Sequence, residues 1–184
     1  MEATAIFAEL MRYNVAYLVK LLKQVAPESF FMRPENRGNP LIWLLGHIVL
    51  NRGEIIEILG GDPRVGNLGD LFARGTIPEN DPSIYPEPSK LLARLIKMSS
   101  LTDDLLLKCD PALLDTTSRG RFKTVGQNLA YSYMHETHHI GQVTYIINLP
   151  IIEKADVSTT TFRKPEKKNS TGKILLDGIK SVFT

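Results

Sequence analysis

The stretch His135-Glu136-Thr137-His138-His139-Ile140-Gly141-Gln142 holds three of the chain's four histidines. Nothing nearby breaks a helix until Pro150. From Thr124 onward Val125, Leu129, Tyr133, Val143 and Ile146 recur mostly at three or four residues, which is a helical period. Residues four apart share a helix face, so His135 and His139 aim two imidazoles at one point. That spacing is a common way for a helix to offer a divalent metal two nitrogen ligands. A pair so spaced also occurs as an ordinary solvated or core-bonded pair. Asn128, Ser132 and Gln142 fall on the same face and form a polar strip on an otherwise apolar helix. Buried polar groups need partners, and a metal would satisfy this strip. The fourth histidine, His47, lies in Trp43-Leu44-Leu45-Gly46-His47-Ile48-Val49-Leu50, the most apolar segment of the chain. A lone histidine there is usually a core residue bonded to a neighbour, and the obvious neighbour is the other polar strip.

The flanking sequence divides into further helices. A first runs from about Ala3 to about Gln24, with Ile6, Phe7, Leu10, Met11, Tyr17, Leu18 and Leu21 as its apolar stripe, and Pro27 ends it. Asn39-Pro40 reads as an N-cap followed by proline at the first helical position. The helix it opens carries His47 to Leu59 and stops at Gly60-Gly61. Asp62 to Pro88 is a long connection rich in proline and glycine, a length that usually has a role in a compact domain. Phe72, Ile77, Ile84 and Tyr85 point to its packing down on the body. A third helix spans about Ser89 to Lys108, with Leu91, Leu92, Leu95, Met98, Thr102, Leu105 and Leu106 inward. Thr124-Val125-Gly126-Gln127 is a capping box opening the fourth. Four long helices with little strand signal predict an all-α four-helix bundle over residues 1–150. Residues 151–184 read as a polar extension. Within it Ile174-Leu175-Leu176 and Ile179 make one short amphipathic segment able to dock on the bundle.

Composition narrows the function classes. The 184 residues are 43% hydrophobic and 23% charged, ordinary for one globular domain. A net charge of +2 gives no reason to expect nucleic acid or an anionic membrane as partner. Cys109 is the only cysteine, which excludes an internal disulfide and a zinc-finger framework and favours a reducing cytoplasm. It reads as a packed, unreactive thiol near a helix end. The first residues lack the features of a signal peptide, and no apolar run approaches the ~20 residues needed to span a bilayer.

The octapeptide at His135, together with Leu44-Leu45-Gly46-His47-Ile48-Val49, resembles the DinB/YfiT-like metalloenzyme family. Arg33-Pro34 and Leu71-Phe72 add to the likeness, which covers roughly residues 3–149 and does not reach the extension. The resemblance implies a bundle with a three-histidine metal site whose ligands map to His47, His135 and His139. It implies that His138 is not a ligand. Spacing agrees only in part, because His138 is turned ~100° from His139 but lies three residues from His135. The resemblance also implies homodimers and, for some relatives, transferases or isomerases that use low-molecular-weight thiols.

Three neutral imidazoles leave at least one metal position open, the mark of a catalytic rather than a structural site. Nitrogen ligands suit zinc, nickel, copper and iron alike. Asn51 and Glu54, four and seven residues after His47, are candidate outer groups around the metal, or simply solvated residues at a helix edge. Gln142 faces the same way as His135 and His139. Glu136 is ~100° away and is a poor general base for this metal. The readings are a metal-dependent transferase or hydrolase acting on a small molecule, a metal-binding protein without turnover, and a structural bundle with core histidines. A separate stripe of Tyr131, Met134, His138 and Tyr145 favours a homodimer through the outer face of the last helix.

Overall fold

The computed structural model describes residues 2–33 and 38–152. Five α-helices lie among them: α1 (Ala3–Leu22), α2 (Leu41–Ile58), the short α3 (Leu68–Phe72), α4 (Pro88–Lys108) and α5 (Val125–Ile147). No strand is present among the described residues, only an isolated bridge between Thr117 and Thr124. The four long helices form the expected bundle. Both α1 and α2 pack against α4 and α5, so α1 and α2 sit diagonally across it. The long connection between α2 and α4 carries the chain over this arrangement and contributes α3.

Local chemistry explains most of the element ends. Thr124 caps α5 through a reciprocal capping box with Gln127, as the sequence predicts. Leu59 closes α2 and Gly60 follows at φ +82°, a left-handed turn that glycine adopts without strain. The start of α2 differs from expectation. Pro40, not Asn39, takes the N-cap position, and no side chain caps the helix.

The stripe on α1 also differs. Ile6 and Tyr17 are exposed, whereas Ala8, Met11, Val15, Leu18, Val19 and Leu22 are buried. Met11 and Leu18 keep the inward place the sequence predicts, but the rest of the face is not decided by period alone, because apolar residues lie on several faces of the helix. The connection packs down through Phe72 and Tyr85, but Ile77 and Ile84 stay exposed. The amphipathic segment at 174–179 and the rest of the extension beyond residue 152 lie outside the described residues, as does Pro34.

The main apolar cluster fills the bundle around Leu18, Leu45, Ile48, Leu95 and Val143. A smaller one gathers Ala8, Met11, Ile55, Leu106 and Leu129. On α2 Arg52 falls between Val49 of the first and Ile55 of the second, and it is fully buried. Its guanidinium meets Glu136 of α5 at 2.6 and 2.7 Å. This pair ties together the two helices that carry the histidines.

Candidate metal centre

α2 and α5 are neighbours, and their contact brings His47, His135 and His139 together. The Nε2 atoms of His47 and His135 are 3.4 Å apart, and those of His135 and His139 are 3.0 Å apart. Two nitrogens each ~2.1 Å from one ion lie ~3.0 Å apart at a right angle and ~3.4 Å apart at the tetrahedral angle. The two separations match two pairs of donors to one divalent ion, and all three ring donors lie within 4.8 Å of one another.

Two of the rings have fixed orientations. His47 donates its Nδ1–H to the carbonyl oxygen of Phe72 at 2.6 Å. A carbonyl only accepts, so this bond assigns the proton to Nδ1 and leaves the Nε2 lone pair facing the cluster. His139 does the same through Gln142, whose Oε1 lies 2.7 Å from Nδ1. Such outer partners orient metal-binding imidazoles. The buried Nδ1 of His135 has no hydrogen-bond partner among the described residues. Its ring is held instead by stacking against Tyr131, at 5.5 Å between centroids and 11° between planes. Trp43 stacks on His47 in the same manner, at 4.7 Å and 11°.

The Phe72 carbonyl reaches His47 because Gly46 lets it. A Cβ on Gly46 would come within 2.4–2.5 Å of the Phe72 ring. Trp43 reinforces the approach by donating its indole N–H to Thr76 Oγ1 at 2.9 Å, and Thr76 in turn bonds the Leu71 and Ala73 carbonyls. The first turns of α2 thus clamp the end of α3 over the site. A partner that is a backbone carbonyl leaves no side-chain signal in sequence.

The electrostatics keep the imidazoles neutral. Burial pushes His47 and His139 below the ordinary histidine range, outweighing the opposing bonds to Phe72 and Gln142. His135 falls to about 4, first through burial, then through repulsion from His139, His47, His138 and Arg74. Neutral imidazole is the form that ligates.

A cavity of about 900 Å³ opens onto His47 and His135, a size typical of small-molecule sites. Asn51 and Glu54 line it but make no hydrogen bond to an imidazole; Asn51 donates to the Ser132 carbonyl at 3.5 Å. Water is partly stripped from the Glu54 carboxyl and Glu57 repels it, so its pKa is raised although the residue remains largely accessible. Asn128 is satisfied elsewhere, pinning the loop before α5 through the Phe122 backbone. Tyr131, expected on the outer stripe, instead lines this cavity. Glu136 faces away from the cluster, against Arg52. His138 is exposed and borders a different hollow of about 1150 Å³ with Met134 and Tyr145, a hollow that touches none of the three clustered histidines.

The molecule is thus a helical bundle with three convergent imidazoles positioned to bind a metal ion, two of them lining a cavity. The profile of the DinB superfamily matches residues 11–143, which include all three histidines, and the chain belongs to that superfamily. No curated protein matches it.

Proposed function

We propose that the protein is a metal-dependent enzyme. In this reading His47, His135 and His139 hold a divalent ion, zinc, nickel or iron, and a thiol-dependent transferase or hydrolase reaction on a small molecule takes place in the adjoining cavity. The observation that carries the reading is the pair of Nε2 separations, 3.4 and 3.0 Å, in a cluster two of whose members, His47 and His135, line that cavity. A storage or structural protein has no need of a hollow leading to its metal, so the cavity favours turnover over mere binding. When bound, the ion supplies Lewis acidity that lowers the pKa of a water or thiol in its open position. The chain's own residues do the rest. The Phe72 carbonyl and Gln142 fix two imidazoles, and the Trp43 and Tyr131 rings shield His47 and His135 from water. Neutral ligands leave the full charge of the ion available to an incoming anion.

The test is elemental analysis of protein purified without a histidine tag, followed by stepwise reconstitution. One equivalent of metal per chain is expected, with a coordination number that leaves an open position. Absence of stoichiometric metal would overturn the reading.

The exposed Met134, His138 and Tyr145 support the further reading that two copies pair along α5. Aromatic residues and methionine are enriched in interface cores, and two-fold pairing is the commonest solution for an oligomer. No helix among the described residues is long and apolar enough to cross a membrane.

A further inference from the structure

The wall of the histidine cavity carries a set of charges that the metal reading does not use. Arg74, Arg119 and Arg121 line it, against Glu54 and Glu57. The side chains of Arg74 and Arg119 make no ion pair or hydrogen bond with another described residue, although both acids share the same cavity. Arg121 donates to the Tyr131 hydroxyl at 2.8 Å and lies over that ring at 4.9 Å. This engages one nitrogen of its five-donor fork and leaves the others available.

Two of the cationic groups adjoin elements that hold the imidazoles. Arg74 is two residues from Phe72, whose carbonyl holds His47. Arg121 is anchored on Tyr131, whose ring stacks on His135. Both are thus tied to elements that touch the imidazole cluster. Glu54 and Glu57 follow His47 on α2 by seven and ten residues, ~10 and ~15 Å away by helical rise. Two of the three arginines are thus linked to the imidazole end, whereas Glu54 and Glu57 stand off from it along α2. Neutral histidine ligands add no negative charge to offset a bound divalent ion, so the imidazole end gains positive charge on loading. An excess of one sign of charge in a cleft concentrates ligands of the other sign, three arginines here outnumber two glutamates, and guanidinium groups match carboxylate and phosphate geometry.

We infer that the small molecule handled at this site carries an anionic group, a carboxylate, sulfonate or phosphate, that docks on Arg74, Arg119 and Arg121 beside the atom held at the metal. This rests on the proposed metal site and specifies its substrate class.

Three thiols of similar size and different charge test it on cobalt-loaded full-length protein: 3-mercaptopropionate, 2-mercaptoethanol and cysteamine. The thiolate-to-cobalt absorption band reports binding. The expected result is at least about tenfold tighter binding of 3-mercaptopropionate than of 2-mercaptoethanol, with cysteamine weakest. In Arg74→Gln/Arg119→Gln the preference for 3-mercaptopropionate should fall to within about threefold, while cobalt stoichiometry and 2-mercaptoethanol affinity hold. Equal affinities, a preference for cysteamine, or a preference that survives the double substitution would overturn the inference and leave the metal site standing. Failure of the unsubstituted protein to take up cobalt would instead bring down the metal reading, and this inference with it.

Discussion

Arg52 and Glu136 form an ion pair in which neither side chain is more than 1% exposed, at 2.6 Å, between the helix of His47 and the helix of His135 and His139. Breaking a buried pair by removing one partner leaves an uncompensated charge and costs about 3–5 kcal/mol. The Nε and Nη1 of Arg52 already lack partners among the described residues, so the pair is under-satisfied even when intact. Glu136→Leu alone is expected to destabilise the protein by that amount in urea unfolding. Arg52→Met with Glu136→Leu should recover most of the loss, because an apolar pair of similar volume removes both desolvation costs. A double variant no more stable than the single one would contradict this.

Gly46 governs how closely Phe72 approaches α2. Alanine there would place its Cβ 2.4 Å from the Phe72 ring, so the ring and its backbone must shift. Overpacking of this kind costs about 1–3 kcal/mol. The same shift loosens the bond from His47 to the Phe72 carbonyl. Gly46→Ala is expected to weaken metal binding by at least about tenfold, the scale on which outer partners act, measured by chelator competition. A variant destabilised but unchanged in metal affinity would separate the two effects and refute the link.

What could be read from the sequence follows from range. The His135/His139 spacing is local, four residues on one helix, and the capping box at Thr124 is three; both are legible because helical geometry fixes them. His47 entered through its apolar setting and the family resemblance. Arg52 did not, because a charged residue on a helix reads as solvated until its partner is known, and Glu136 is 84 positions away. The Phe72 carbonyl is invisible for a different reason, since a backbone acceptor has no residue type. Spacing predicts Ile6 and Tyr17 inward on α1, yet both stand exposed, because apolar residues on several faces leave the inward one to tertiary packing. Spacing predicts Tyr131 on the outer stripe, but it turns toward the cavity, held by Arg121.

Acid should destabilise the metal-free protein through its histidines. His135 titrates at about 4 in the fold against 6.5 in the unfolded chain, and His47 and His139 are shifted the same way. Between those values the unfolded chain binds more protons, so stability falls as pH drops from about 6.5 toward 4 and this contribution levels off below. The raised carboxyls of Asp103 and Glu54, both shifted mainly by desolvation, act in the opposite sense. His135→Gln isolates the histidine contribution. Its urea midpoint should decline less between pH 7 and pH 5 than that of the unsubstituted protein; an identical decline would show that His135 is not responsible.

Pairing along α5 can be tested at Tyr145 and Met134, which are 69% and 53% exposed. Sedimentation at micromolar concentration is expected to give a dimer. Met134→Glu with Tyr145→Glu should give a monomer of unchanged helical content, since neither residue belongs to the buried core. A monomer without any substitution would end the dimer reading.

The sharpest discrimination lies between two adjacent histidines. His139 is buried, with its Nε2 3.0 Å from that of His135, whereas His138 is exposed and absent from the group of three that could hold an ion. His139→Ala and His135→Ala are each expected to abolish stoichiometric metal binding, because two remaining imidazoles make a weak site. Helical content in circular dichroism should stay nearly unchanged, since the apolar stripes rather than the site hold the bundle together. His138→Ala should retain one equivalent of metal. Two adjacent rings are candidates for the same role, and burial decides between them: only the imidazole of His139 has both a fixed outer partner in Gln142 and a lone pair turned toward His135. Loss of metal in His138→Ala with retention in His139→Ala would mean that the cluster of three is not the binding site.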